Sequence, residues 1–217
     1  MQQEGLLVNN HARIIGKIVS GFEFSHEVYG EGFYTFNVEA ARLSEAADTL
    51  PITVSERLVD TSSLSEGTWV YILGQIRSYN NYVESAKRNR LVITIFAREI
   101  QTELPPEPYS PNEIYLNGFI CKAPVYRTTP FGREITDLLI AVNRSYNKSD
   151  YIPCIAWGRN ARYAGKLTVG ENIRIWGRMQ SRQYQKKFDT GETIEKTAFE
   201  VSVAKLECGE PPNGEEQ

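Results

Sequence analysis

Residues 151–167 read Tyr151-Ile-Pro-Cys-Ile-Ala-Trp157-Gly-Arg-Asn-Ala-Arg-Tyr-Ala-Gly165-Lys-Leu167. The first seven residues form a strand candidate, and Arg159 to Leu167 is the one convincing helical stretch in this half of the chain. It stops short of Gly170, a residue suited to a tight turn. Working outward, Ile114, Leu116, Gly118 and Ile120 alternate with Tyr115, Asn117 and Phe119, the period-2 pattern of a half-buried strand. Ile135 to Val142, Asn172 to Gln180 and Ile194 to Val203 supply three more strands, and Asp189-Thr190-Gly191 marks a hairpin turn. Five strands with a helix between the third and fourth is the plan of an OB-fold barrel.

The same outline occurs twice. At an offset of 102, Gly16 answers to Gly118, Arg42 to Arg144, Asp48 to Asp150, Pro51 to Pro153 and Arg57 to Arg159. After a one-residue slip, Gly67 answers to Gly170, Gly74 to Gly177, Ser78 to Ser181 and Phe96 to Phe199. A near-constant offset that keeps Gly, Pro and Arg in register is a repeat. Between the copies lies Glu103-Leu-Pro-Pro-Glu-Pro-Tyr-Ser-Pro111, where repeated prolines resist helix and central strand alike. The expected fold is all-β: two tandem five-stranded OB-fold barrels, each with a short helix. The expected division is a first barrel over residues 1–104, a linker over 105–111, a second barrel over 112–207 and a short acidic tail over 208–217. Pro51 and Pro153 lack a ladder donor, so their strands are expected to be edge-like or bulged there.

The chain of 217 residues has room for two domains. It contains no run of eighteen apolar residues, so no membrane span is expected. Its start, MQQEGLLVNNHARIIG, lacks the order of a secretion signal. Cys121, Cys154 and Cys208 match neither a metal cluster nor a disulfide framework, and a reducing, cytoplasmic setting is expected. His11 and His26, the only histidines, have no catalytic constellation beside them, so neither enzyme activity nor a cofactor is expected. The net charge of -3 hides an asymmetry: residues 1–104 carry -4, residues 105–207 carry +4 and the last ten carry -3. A polyanion is drawn to the second half.

Four motifs in that half, Asn112-Glu-Ile-Tyr-Leu-Asn-Gly118, Ala141-Val-Asn-Arg144, Tyr151-Ile-Pro-Cys-Ile-Ala-Trp-Gly158-Arg159 and Gly177-Arg-Met-Gln-Ser-Arg-Gln-Tyr184, resemble the bacterial single-stranded DNA-binding protein family in order and spacing. The first half resembles it more faintly. The resemblance implies aromatic rings that stack on bases, here Tyr146, Tyr151, Trp157 and Tyr184, with Phe188 beside them. It also implies basic residues on phosphates: Arg127, Arg144, Arg159, Arg178, Arg182, Lys186 and Lys187, with Lys148 and Arg133 nearby. Stacking is sequence-tolerant because every base has a π face. Tyr151 and Trp157 are an even six residues apart, which puts them on one face of an unbroken strand.

In the first half Ser44, Thr49 and Ser55 stand where the second has Tyr146, Tyr151 and Trp157, so that platform is expected to be largely missing. Tyr82, with Lys87, Arg88 and Arg90, is its one counterpart to the Tyr184 hairpin. Trp176 is left open between stacking, a subunit interface and packing on the first half. The resemblance further implies single-stranded DNA as partner, a homodimer giving four barrels, contact with replication or recombination proteins, and a nucleoid-associated cytoplasmic location. A protein-binding OB module of a replication or primosome assembly and an RNA-binding OB protein are the alternative readings. The short tail lacks the long linker and hydrophobic tip through which relatives recruit proteins.

Overall fold

A computed structural model describes residues 9–42, 44, 46–61, 63–83, 88–106, 109–187 and 193–209, with no side chains described at 82, 83, 88, 89, 184–187, 194 and 196. In chain order the strands are β1 (Asn10–Ile18), β2 (Glu23–Val28), β3 (Glu31–Ala41), β4 (Ala47–Ser55), β5 (Trp69–Val83) and β6 (Arg88–Gln101), then β7 (Asn112–Ile120), β8 (Val125–Thr128), β9 (Glu134–Arg144) and β10 (Lys148–Trp157). The helix α1 (Gly158–Ala164), β11 (Asn172–Lys187) and β12 (Thr193–Cys208) complete the order. Strands β1, β3, β4, β6 and β5 close one barrel, and β7, β9, β10, β12 and β11 close the other. In each, one parallel pairing, β4 with β6 or β10 with β12, completes an otherwise antiparallel ring. Each half thus has the five barrel strands expected, plus an arm strand, β2 or β8, that the sequence pattern did not separate from its neighbour.

Alternation builds both interiors. Along β7 every second residue from Asn112 to Ile120 is buried, and Ile14, Ile52, Ile72 and Ile95 fill the first barrel as Leu116, Ile140, Ile152 and Ile175 fill the second. The repeated glycines have a steric cause. A Cβ on Gly16 would stand 2.3 Å from the Glu39 carbonyl oxygen, and one on Gly118 2.5 Å from that of Ala141, where β1 meets β3 and β7 meets β9.

One expectation needs correcting. Only the second half has a helix among the described residues. In the first half, residues 56–61 and 63–68 make turns. There Asp60, Thr61 and Ser63 compete for backbone groups, with the Ser63 amide and hydroxyl both donating to the Asp60 carbonyl, whereas Ala161 and Ala164 favour and bury α1. At Pro153 β10 is edge-like, as expected, since it is paired there on one side only, and it is not bulged. Its pairing with β9 runs unbroken from Lys148 to Trp157. The missing donor is tolerated because pairing with β12 begins only at Cys154, one residue later. Pro51 precedes the β4–β6 pairing at Ile52 in the same way.

The barrels join edge to edge through β1 and β7. Ala12 lies opposite Ile114, its own repeat partner, with Asn10 opposite Leu116 and Ile14 opposite Asn112. The pairing is therefore self-complementary about Ala12, as in a two-fold dimer interface, although one chain supplies both sides. Buried Asn10 carries the β1 ladder past the bulge at Gly74 by donating to the Ile76 carbonyl (2.7 Å) and accepting from its amide (2.9 Å). Asn112 does the same with Met179.

Two buried aspartates reinforce the join. Asp48 of the first barrel accepts from Arg178 (2.7 Å) and the Ser181 amide (2.9 Å) of the second, and a two-pronged Arg42 completes the cluster. Asp150 of the second barrel accepts from Arg77 (2.9 Å) and the Ser78 amide (2.8 Å) of the first, with Arg144 at 3.8 Å. Both aspartate side chains are 1% exposed. Burial pulls the Arg77 and Arg178 pKa below the ordinary guanidinium value while the carboxylates push it back, and the hydrogen bond to Asp48 holds Arg42 above it.

Candidate nucleic-acid interface

The outer face of β9 and β10 carries the two aromatic residues the sequence put together. Tyr151 is 45% exposed and Trp157 37% exposed, while Ile152, Cys154 and Ala156 between them point into the barrel. Six residues of strand separate the rings by about 20 Å. Between them lie Pro153 and buried Ile155 on β10, opposite Leu139 and Asp137 on β9. At its far side Arg127, on β8, forms a two-pronged ion pair with Asp137. Trp157 is fixed by the turn that follows it. It is the extended residue capping α1, and Gly158 takes φ +54° to swing the chain into the helix.

Tyr146 stands at the turn between β9 and β10, 94% exposed with φ +61°. A non-glycine residue there costs about 1–2 kcal/mol of backbone strain. Asn147 beside it also takes positive φ (+53°), the handedness favoured in tight hairpin turns, and this turn holds the Tyr146 ring out in solvent. Arg159 and Lys148 are exposed beside the face and have no ion-pair partner among the described residues. Arg182, on the projecting β11–β12 hairpin, reaches Glu200 at 3.5 Å. The backbones of Tyr184, Lys186 and Lys187 continue that hairpin, paired to Lys196, Ile194 and Thr193, and Phe188 lies outside the described residues. Arg144 and Arg178 stand apart from this group, since their charge is directed at Asp150 and Asp48 in the junction between barrels.

Nothing in the sequence pattern indicates that the first barrel holds this face in place. The Tyr151 amide donates to the Ser78 hydroxyl on β5 (2.7 Å), next to the Asp150 cluster. Exposed Tyr79 follows Ser78 on the same strand. The signal available was the repeat of Ser78 with Ser181 and Asp48 with Asp150, which marks positions but not the exchange of partners between barrels.

The matching face of the first barrel is built from other residues. Thr49 and Ser55 do occupy the Tyr151 and Trp157 positions on β4, and Ser55 is held by Glu31. Rings reach this face from other strands. His26 stacks on Phe33 at 4.9 Å, Phe33 meets Phe96 at 5.8 Å, and Arg98 lies over Phe96 at 5.7 Å. Phe33 is buried beneath His26, so that ring is not offered to a base. Arg90 is exposed at the hairpin whose Tyr82 and Arg88 side chains and Lys87 lie outside the description.

Trp176 is on neither face. It meets Tyr115 at 5.2 Å under the Lys205 ammonium (4.7 Å) and lines a groove of about 720 Å³ with His11, Tyr109, Pro111 and Val203. No group of three or more His, Cys, Asp or Glu placed to hold a metal occurs among the described residues. No described helix is long and apolar enough to cross a membrane.

Residues 111–208 match the Single-strand binding protein family. The Single-stranded DNA-binding protein A of Bacillus subtilis (strain 168) is 32% identical over 110 residues, which is 48% of this chain and 62% of that protein. The Single-stranded DNA-binding protein 1 of Staphylococcus aureus (strain COL) is 35% identical over 81 residues, 34% of this chain and 48% of that protein. The chain therefore spans between about half and three-fifths of these relatives' length. The wild-type single-stranded DNA binding protein from Thermus aquaticus has the same fold across both barrels, with a TM-score of 0.73 over 96% of this chain and 95% of that one at 18% identity. Residues 111–208 thus match the single-strand binding protein family, within a chain that carries two OB-fold barrels in tandem.

Proposed function

We propose that the protein binds and protects single-stranded DNA without regard to sequence, in replication, recombination or repair, and that the strand runs over the outer face of β9 and β10. The observation that carries this reading is the pair of exposed rings, Tyr151 and Trp157, on one face of an unbroken strand. Bases stack on these rings and on Tyr146, while Arg159 and Arg127, followed by Arg182, Tyr184, Lys186, Lys187 and Phe188 on the β11–β12 hairpin, follow the backbone. Arg144 and Arg178 act as positioning residues, since they hold the barrels, and hence Tyr151, in place. Between the rings the face offers Pro153 and Leu139 and an Asp137 already paired with Arg127, which favours stacking over sequence readout.

Two copies make the four-barrel assembly. The face available for it is the outward side of the contiguous strands β6, β5, β1, β7, β11 and β12. There Trp69 under Lys17, with Tyr71 and Leu73, continues into Tyr115 and Trp176. Aromatic side chains on a broad sheet face are the composition of a subunit contact.

The test is one titration series with labelled oligo-dT, oligo-U and duplex DNA of equal length. Oligo-dT should bind tightly, duplex far more weakly, and log affinity should fall with log salt by about 0.7 per phosphate contacted. Tighter binding of oligo-U than oligo-dT would make the protein an RNA binder instead, and equal affinity for duplex and single strand would remove the stacking reading.

A further inference from the structure

The arms β2 and β8 occupy the two free ends of the twelve-strand order, one on each barrel. Every residue of both strands is exposed. They are repeat-related in position but opposite in charge. No Lys or Arg occurs between Lys17 and Arg42, while Glu23 and Glu27 lie on the first arm and Glu31 opens β3 after it. Glu31 is engaged by Ser55 and Arg57, but Glu23 and Glu27 have no ion-pair partner among the described residues. The second arm carries Arg127, with Lys122 just before the strand and Arg133 in the turn that follows it. Arg127 is engaged by Asp137, whereas Lys122 and Arg133 have no ion-pair partner among the described residues.

Both arms are also apolar at their tips. Phe24, Val28 and Tyr29 are exposed on the first, and Val125, Tyr126 and Phe131 on the second. A carboxylate-lined arm repels phosphate, so the proposed DNA contact gives the first arm no role. Its charge and its exposed rings complement the second arm. Within one chain no pairing joins the two among the described strands: β2 pairs with β3 and β8 with β9.

We infer that the acidic arm of one copy docks on the basic arm of the next, so that copies along one strand of DNA touch head to tail. Such a contact is heterologous: each copy uses one arm to give and the other to receive, and the contact propagates instead of closing into a pair. It is made by side chains rather than by a continued ladder, since the bulge between Phe24 and His26 twists the β2 edge out of line. The reading as a DNA binder supplies the strand that brings copies together, and the arm contact rests on it for its purpose.

The test compares the unmodified protein with Glu23→Lys/Glu27→Lys on an oligo-dT just long enough for one assembly and on long poly-dT. Affinity for the short oligonucleotide should be unchanged, while cooperativity on poly-dT should fall by about tenfold or more, as like charges now face each other. A mixture of this variant with Lys122→Glu/Arg133→Glu should regain cooperativity, because opposite charges again meet. Unchanged cooperativity in the first variant, or a failure of the mixture to exceed either variant alone, would overturn the arm contact. If the unmodified protein did not bind the short oligonucleotide, the proposed function would fall instead. Sedimentation without DNA would then decide the contact alone: species beyond the two-copy assembly that vanish in Glu23→Lys/Glu27→Lys support it, and none in the unmodified protein overturns it.

Discussion

Trp157→Ala is expected to weaken oligo-dT binding roughly five- to 150-fold, the ~1–3 kcal/mol of one base–aromatic stack. Its effect on folding should fall well below the ~3–5 kcal/mol that removing a buried tryptophan costs. The difference follows from where the ring lies: 37% exposed, on the outer face of β10, with no capping hydrogen bond from its side chain to α1. Melting temperature and the anisotropy of a labelled oligonucleotide, measured on the same sample, separate the two effects. Trp69 and Trp176 still fluoresce in the variant, so quenching alone would mislead. A variant that melts much earlier yet binds normally when folded would place Trp157 in the packing and weaken the case for Tyr151 on the same face.

Asp48→Asn should cost about 3 kcal/mol of unfolding free energy, the low end for removing one partner of a buried ion pair. Arg42 and Arg178 keep 28% and 34% of their side-chain surface in water, which softens the loss. Asparagine can still accept from the Ser181 amide, so the change isolates the charge. A double-mutant cycle with Arg178→Met in urea should show positive coupling across the two barrels. Asp150→Asn should be destabilising for the same reason and should also weaken DNA binding, because Ser78 holds both Asp150 and the Tyr151 amide. Additive, near-neutral changes would mean that the β1–β7 pairing alone holds the barrels.

Much of the barrel was legible because its signals are local. Alternation along β7, the run Tyr151 to Trp157 and the alanines of α1 each report their own surroundings. The offset of 102 doubled that information, and the parity of Tyr151 and Trp157 needed only an unbroken strand. The arms were missed as separate strands because β2 and β8 are exposed on every residue, so alternation has nothing to report. A helix was wrongly expected in the first half because the repeat carries position but not propensity, and Asp60, Thr61 and Ser63 replace the alanines. The exchange of Asp48 and Asp150 between barrels was hidden for a further reason. Arg42 and Arg144 beside them in sequence suggest local pairs, whereas the strongest cross-barrel partners, Arg178 and Arg77, sit at unmatched repeat positions, each two residues from a glutamine.

The site itself is tested most directly by photo-crosslinking. A single-stranded oligo-dT carrying iodouracil, irradiated in complex with the unmodified protein and digested for peptide mapping, marks the rings that stack on bases. With trypsin, crosslinks should fall on the peptide carrying Tyr151 and Trp157 and on the short one carrying Tyr146, in the second barrel. Crosslinks concentrated on His26 and Phe33 of the first barrel, or on Trp69 and Trp176 of the six-stranded face, would contradict the placement of DNA on β9 and β10.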